Sequence, residues 1–186
     1  LAAQAMAGST IAGAAERHVM FILDASNSMW GQIDGTAKID IAKHVLNAQF
    51  ASLPEGTEAG LIAYGHRRKG DCGDIETLVE AGTGTVGEIV SRAAALSPKG
   101  KTPLTEAVRQ AATALRSTER KATVVLLTDG IETCNADPCA LARELEESGV
   151  DFTAHVIGFG LTRDEGRQIS CLADETGGRY FEAGDA

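Results

Sequence analysis

The side chains best suited to chemistry in this chain are three oxygen donors that directly follow an apolar segment. The segment His18–Leu23 is typical of a strand buried on both faces, and Asp24, Ser26 and Ser28 follow it at alternate positions. Side chains alternate between the two sides of an extended backbone, so we expect these three to point the same way. A carboxylate with two hydroxyls suits Mg²⁺ or Mn²⁺ better than zinc. The triplet alone equally fits an ordinary side-chain turn after a strand.

Two further positions supply oxygens that an octahedral site would still need. A second buried run, Ala122–Thr128, is followed by Asp129, and the loop between the two runs carries Thr102 just before a helix. Thr102 followed by proline is also an ordinary helix N-cap, which is the stronger interpretation of that pair taken alone. One arrangement that serves both roles has Thr102 on the metal and Thr105 on the helix backbone.

The order of these residues resembles the metal-ion-dependent adhesion site of von Willebrand factor type A domains. That motif is D-x-S-x-S, then a loop threonine, then an aspartate at a strand end, and all five positions match: Asp24, Ser26, Ser28, Thr102 and Asp129. The resemblance extends from about residue 18 to the end of the chain, and its wider segments look like bacterial, often exported, members. It implies Mg²⁺, with Mn²⁺ or Ca²⁺ as alternatives, whose coordination is completed by an Asp or Glu of a partner protein.

The resemblance implies a non-enzymatic protein-binding module, and two other functions remain as alternatives. Some members of the family are accessory subunits of ATPase or chelatase assemblies. A Mg²⁺-dependent hydrolase is the less favoured alternative, since the sequence has no Gly-rich phosphate loop and no His or Lys placed as a base. Among the residues around the site, Trp30 and His66 are the expected partner contacts, and exposed Trp is the residue type most often dominant at interfaces.

The remaining elements predict an α/β fold. Strands alternate with helices, which indicates a mostly parallel, doubly wound sheet with helices on both faces. The segment Tyr64–Ile75 is expected to form an antiparallel hairpin at the sheet's edge. The resemblance implies six strands in the order 3-2-1-4-5-6, with the third antiparallel. Helix starts are predicted at Thr36, at Thr85 and Thr162 through capping boxes, at Thr102–Pro103, and at Asp137–Pro138.

Length and charge limit the class of protein. The 186 residues are enough for one domain, which we place at 18–186, and the formal net charge of −9 argues against a nucleic-acid binder. No stretch approaches the roughly 18 apolar residues of a membrane span. The Ala/Gly-rich residues 1–17 are expected to be a disordered arm, or the remnant of a cleaved signal or of cloning. We expect a monomeric domain.

The four cysteines bear on the compartment. Cys134 and Cys139 bracket a tight turn across which a disulfide is sterically allowed, while Cys72 and Cys171 lie far apart, so three pairings are open. An oxidising location is favoured, namely the periplasm, the cell surface or the exterior, with four reduced thiols in a cytoplasmic protein as the alternative.

Overall fold

The computed structural model describes residues 18–116, 121–149 and 151–183, so the predicted N-terminal arm at 1–17 lies outside the described residues. The elements are β1 (His18–Asp24), β2 (Gln32–Ile33), β3 (Thr36–Ala37), α1 (Lys38–Phe50), β4 (Glu58–Tyr64), β5 (Ile75–Gly82), α2 (Val86–Ala94), α3 (Leu104–Arg116), β6 (Ala122–Thr128), α4 (Pro138–Glu147), β7 (Phe152–Gly158), α5 (Arg163–Asp174) and β8 (Tyr180–Glu182).

Six of the strands form one sheet in the order β5-β4-β1-β6-β7-β8. Strand β1 runs parallel to both β4 and β6, while β5 pairs antiparallel with β4 at the edge. When the small β2–β3 hairpin is set aside, this is the predicted order 3-2-1-4-5-6 with an antiparallel third strand. The predicted fold class is therefore confirmed, and the two aspartate-terminated runs lie side by side at the centre of the sheet.

Two apolar cores lie on the two faces of the sheet, because alternate residues of the central strands point to opposite sides. Met20 and Ile22 of β1 pack on one face with α3, α4 and α5. Phe21 and Leu23 pack on the other face with α1 and α2, where the ring of Phe21 meets that of Phe50 edge-on at 5.2 Å. Every residue of β1 is buried, as its apolar run predicts.

A small hairpin, β2–β3, follows the first site loop and replaces the helix cap predicted at Thr36. Its turn is Asp34–Gly35, with φ of 49° and 82°, the mirror-image turn that matches the twist of paired strands. Thr36 belongs to β3, and α1 is instead preceded by Ala37, which has no side-chain cap. The prediction that Thr36 caps α1 was therefore wrong, because the Asp34–Gly35 turn pairs Thr36 with Ile33 in the hairpin.

The helix starts predicted at Thr85, Asp137 and Thr162 are confirmed, but only two of the three have the predicted side-chain caps. Asp137 accepts hydrogen bonds from the N–H groups of Cys139 and Ala140, and Thr162 forms a complete capping box with Glu165, as predicted. The box predicted at Thr85 does not form. Its hydroxyl donates to the carbonyl oxygens of Ala59 and Gly82 instead, so tertiary contacts take the group that would have capped α2.

All four cysteines are in disulfides, and the pairing is one of the three left open. Cys72 bonds to Cys134, and Cys139 bonds to Cys171, so no bridge crosses the tight turn between Cys134 and Cys139. The first bridge ties the loop after β4 to the loop after β6, and both loops lie at the carboxyl edge of the sheet. Within the described ranges, no helix has the length and apolar character needed to cross a membrane.

Candidate metal centre

Asp24 ends β1 and is fully buried, with both carboxylate oxygens bonded inside the chain. Its Oδ1 accepts a 2.7 Å hydrogen bond from the backbone N–H of Ser26, and its Oδ2 accepts one of 2.6 Å from the Thr128 hydroxyl. The buried Tyr64 hydroxyl in turn donates to Thr128 Oγ1 at 3.2 Å. Residues from three neighbouring strands thus fix the orientation of this carboxylate.

Ser26 and Ser28 come together, although not for the predicted reason. Residues Asn27–Trp30 form a 3₁₀ turn, so the side-chain alternation of an extended chain ends at Ser26. The two hydroxyl oxygens nevertheless lie 3.1 Å apart. Ser26 is buried and Ser28 is exposed, so the cluster opens to solvent on the Ser28 side.

Asp129 follows β6 and carries two different partners. Its Oδ1 accepts a 2.7 Å hydrogen bond from Ser28 Oγ, which links the two site loops directly. Its Oδ2 accepts a 3.0 Å hydrogen bond from the ammonium of Lys38, at the start of α1. The predicted strand-end carboxylates are therefore brought to one cluster, together with a cation that the sequence analysis did not include.

Thr102 joins the same cluster from the loop before α3. Its backbone N–H donates to Thr133 Oγ1 at 2.8 Å, and its carbonyl accepts from the Thr133 N–H at 3.1 Å. A Cβ placed on Gly130 would lie 3.7 Å from Thr102 Oγ1 and 3.8 Å from Ser28 Oγ, so both hydroxyls face that glycine. The structure thus brings all five predicted residues together at one edge of the sheet.

Thr105 does not take the backbone-capping role suggested for it. Its own N–H donates to the Glu132 carboxylate at 2.9 Å, while its buried hydroxyl has no hydrogen-bond partner among the described residues. A glutamate from the loop after β6 thus bonds the first turn of α3 in place of the Thr105 side chain.

Backbone contacts hold the three site loops against one another. Asn27 N–H donates to the Gly100 carbonyl at 3.0 Å, and Gly100 N–H donates to the Gly65 carbonyl at 2.7 Å. Gly65 has φ of +71°, and a Cβ there would lie 2.6 Å from the carbonyl oxygen of Lys101 and 2.9 Å from the Cα of Ser26. Only glycine fits this junction, which sets the distance between the serine loop and the loop of Thr102.

The electrostatics of the cluster favour a bound cation. Burial, followed by repulsion from Asp129, raises the pKa of Asp24 from 3.8 to about 6, although hydrogen bonds from Ser26 and Thr128 oppose the rise. Burial and the nearby Asp24 charge also raise the pKa of the Tyr64 hydroxyl. Two carboxylates therefore share a buried space in which Lys38 supplies one compensating charge.

The donor set fits a hard divalent cation. It consists of carboxylate and hydroxyl oxygens, and the hydroxyls of Thr102 and Ser28 lie 3.7 and 3.8 Å from the position that a Cβ on Gly130 would take. Across the part of the chain that the structure describes, no group of three or more His, Cys, Asp or Glu side chains is placed to hold a metal. A cation at this edge would therefore depend on the hydroxyl oxygens as well as on Asp24 and Asp129.

The two predicted partner contacts differ in accessibility. Trp30 is 52% exposed, and its indole N–H donates to the Pro98 carbonyl at 3.0 Å, which ties the ring to the loop that carries Thr102. The His66 side chain is only 8% exposed and its Nε2 lies 2.9 Å from a carboxylate oxygen of Glu76. The geometry places Trp30 where a partner could touch it and His66 mainly within its own loop.

Three residues that shape the cluster were missed. Thr128 immediately precedes Asp129 and bonds Asp24, Thr133 bonds Thr102, and Lys38 bonds Asp129. Thr128 carries a sequence signal, since it is the last residue of a buried strand and its polar side chain needs a partner there. Lys38 and Thr133 carry none, because their partners are distant in sequence.

Known proteins share this architecture. A curated Bacillus subtilis protein, the uncharacterized protein YwmC, is 32% identical over 178 residues, which cover 91% of this chain and 78% of YwmC. A von Willebrand factor type A structure from Catenulispora acidiphila superposes with a TM-score of 0.69 at 21% identity, over 90% of this chain and 38% of the other.

A third match is proximal thread matrix protein 1 from the mussel byssus, in a structure described as having a zinc-occupied metal-ion-dependent adhesion site. It superposes with a TM-score of 0.68 at 17% identity and covers 91% of this chain. The chain spans less than half the length of these two structural relatives. The model of the von Willebrand factor type A domain matches residues 19–132, more than half of the chain, and the chain therefore belongs to the von Willebrand factor type A family.

Proposed function

We propose that this domain is a non-enzymatic protein-binding module that engages its partner through a divalent cation. The cation is Mg²⁺, with Mn²⁺ or Ca²⁺ as alternatives, and its ligands are Asp24, Ser26, Ser28, Thr102 and Asp129. When bound, it supplies an electron-poor centre that an Asp or Glu of the partner completes. The observation that carries the proposal is the Ser28 hydroxyl, which lies 3.1 Å from Ser26 Oγ and 2.7 Å from Asp129 Oδ1 and so joins both halves of the oxygen cluster.

The residues of this chain have separable roles in the proposed site. Asp24 and Asp129 supply negative charge, and the buried hydrogen bonds to Asp24 hold it in one orientation. The three hydroxyls supply neutral oxygens, which leave more positive charge on the cation than carboxylates would. Ser28 is exposed, so a partner side chain reaches the site from that side.

The exposed residues on the loop that contacts the serine loop favour an acidic partner. Lys99 and Lys101 are exposed on the loop whose Gly100 bonds Asn27, and Trp30 is anchored to Pro98 of the same loop. The chain has a net charge of −9, so most of its surface should repel a carboxylate. The two lysines offer a local attraction to one, and the Trp30 ring adds an apolar contact surface. Trp30 is therefore the proposed anchor, and Lys99 and Lys101 are the proposed charge contacts.

The two disulfides support a location outside the reducing cytoplasm, because such bonds persist in oxidising compartments. We place the domain in the periplasm, at the cell surface or among secreted proteins.

A displayed library of random heptapeptides tests the acidic-partner proposal with a defined probe. Peptides are selected on immobilised domain in Mg²⁺ and eluted with EDTA. The proposal expects every recovered sequence to contain an Asp or Glu whose change to Asn or Gln abolishes binding. Recovered peptides that lack an acidic residue, or a bound population that EDTA fails to release, would count against it.

A matched pair of serine variants separates the site from the general surface. Ser28→Ala removes the hydroxyl that joins the two halves of the cluster, whereas Ser91→Ala removes an exposed hydroxyl on α2. Peptide binding in Mg²⁺ should fall at least about tenfold in Ser28→Ala and stay unchanged in Ser91→Ala, since a charge-assisted contact contributes more than about 1.4 kcal/mol.

A further inference from the structure

Lys38 is placed to act on the same carboxylate that is proposed to hold the cation. Its ammonium lies 3.0 Å from Asp129 Oδ2, the oxygen that Ser28 does not use. The side chain of Asp129 is 0% exposed and that of Lys38 is 17% exposed, so solvent screens the pair weakly.

The route of the Lys38 side chain is fixed by two glycines from different loops. A Cβ at Gly31 or at Gly160 would each lie 3.4 Å from Lys38 Cε, so a larger residue at either position would crowd the stem. The backbone N–H of Lys38 also donates to the Gly31 carbonyl at 2.8 Å. The site loop, the start of α1 and the loop after β7 together direct this ammonium to Asp129, which distinguishes it from a freely moving surface lysine.

We propose that Lys38 is a tethered cation that neutralises Asp129 in the metal-free protein and competes with the divalent cation for it. The inference rests on the proposed function. A divalent ion that binds Asp129 either displaces the ammonium from Oδ2, which costs the ion pair, or remains beside it, which costs charge repulsion. Both costs weaken metal binding. Lys38 therefore sets the metal affinity low, so that the site fills only where the free cation is abundant.

The competing idea is that Lys38 simply orients Asp129 for the metal. The two roles predict opposite effects for Lys38→Met, which keeps most of the stem and removes the charge. If Lys38 competes, Mg²⁺ binds more tightly to the variant. If Lys38 orients a ligand, Mg²⁺ binds more weakly, because Asp129 loses its second partner.

Calorimetric titration of metal-stripped protein with Mg²⁺ alone tests the proposal. Lys38→Met should bind Mg²⁺ about tenfold more tightly than the natural protein, which corresponds to about 1.4 kcal/mol. The matched control is Lys43→Met, which removes a lysine on the same helix that bonds the carbonyls of Ala94 and Leu96 rather than the site. Its Mg²⁺ affinity should equal that of the natural protein.

A second measurement needs no metal. In EDTA, Lys38→Met should unfold at a lower temperature than the natural protein, because Asp129 loses its only positively charged partner among the described residues. In an Asp129→Asn background the same change should have a much smaller effect, which would show that Lys38 acts through that carboxylate.

Unchanged or weaker Mg²⁺ binding by Lys38→Met would overturn the tethered-cation proposal and leave the proposed metal site standing. If Mg²⁺ at millimolar concentrations binds neither the natural protein nor Lys38→Met, the proposed function fails and this inference fails with it. Binding by Lys38→Met alone would support the proposal in its strongest form.

Discussion

Asp24 and Asp129 place two carboxylates in one buried space beside a single ammonium, that of Lys38. Burial and repulsion from Asp129 raise the pKa of Asp24 to about 6, which means that its charged form is disfavoured in the metal-free fold. The cluster therefore retains unfavourable negative charge, which the proposed cation would neutralise. Keeping the two carboxylates together costs the metal-free protein stability.

Asp24→Asn should stabilise the metal-free protein at neutral pH. The unfolded Asp24 loses its proton near pH 3.8 and the folded one near pH 6, so the folded state holds the extra proton between these values. The residue's contribution to stability is thus full below pH 3.8 and is lost as the pH rises through 6. The shift corresponds to about 3 kcal/mol, an upper limit because Asn also weakens the bonds to Ser26 and Thr128. Urea unfolding in EDTA across this pH range measures the effect.

Asp74 is a second buried carboxylate, and its pKa is shifted in the direction opposite to that of Asp24. Burial alone would raise its pKa, but hydrogen bonds from the backbone of Arg68 and from the side chain and backbone of Arg67 lower it below the ordinary value. The ionised Asp74 therefore adds to the free energy of unfolding at pH values above its pKa in the unfolded chain. This stabilisation is lost as the pH falls through its pKa in the folded protein. Asp74→Asn should therefore destabilise the protein at neutral pH. Equal signs for the two variants would contradict the assigned environments.

At the scale of elements, the site depends on the junction of three loops rather than on any one strand. Gly65 follows β4 and touches both the serine loop and the loop of Thr102 through its backbone. The Cys72–Cys134 disulfide lies just beyond, and Cys134 N–H bonds the same Glu132 that bonds the first turn of α3. The loops at the carboxyl edge thus form one connected unit around the cluster.

Gly65→Ala should lower both stability and Mg²⁺ affinity, whereas Gly70→Ala should lower stability alone. Both glycines have positive φ, +71° and +76°, so alanine at either position carries backbone strain of about 1–3 kcal/mol. Only at Gly65 does the new Cβ also collide with Lys101 and Ser26, whereas at Gly70 no atom of the described residues lies within 4 Å. Chemical unfolding and Mg²⁺ titration compare the pair, and equal loss of metal binding in both would contradict a special role for the junction.

The two disulfides should contribute similarly to stability but differently to Mg²⁺ binding. The chain-entropy model gives about 4 kcal/mol for each bridge, and the span of 62 residues for Cys72–Cys134 against 32 for Cys139–Cys171 adds only about 0.6 kcal/mol. Replacing either pair by serine should therefore lower stability to a similar extent. Replacing the Cys72–Cys134 pair should also weaken Mg²⁺ binding, because of the two bridges only this one reaches the loop that follows Asp129. Metal titration of both double variants decides this.

Across the whole molecule, the sequence predicts the sheet well and the polar contacts less well. Buried strands are encoded locally, since runs such as those ending at Asp24 and Asp129 must be apolar wherever both faces are covered. Polar contacts depend on hydrogen-bond partners that only the fold brings near. Thr85 bonds the carbonyls of Ala59 and Gly82 instead of capping α2. Lys38 bonds Asp129, which lies 91 residues away in the sequence. The five site residues were predicted as a set through a family resemblance, whereas spacing alone misjudged the backbone at Ser28.

The position of the cluster makes the stability of the whole domain a test of the proposed metal site. Asp24 ends β1 and Asp129 directly follows β6, and residues of these two central strands belong to both cores. Because the two carboxylates are held at the ends of these strands, we expect Mg²⁺ to raise the main unfolding transition rather than a local one. The expected gain is RT ln(1 + [L]/Kd), about 2.7 kcal/mol at a hundredfold excess over Kd. Calorimetry of metal-stripped protein with and without Mg²⁺ measures it, Asp24→Ala should abolish the gain, and an equal gain in that variant would place the metal elsewhere.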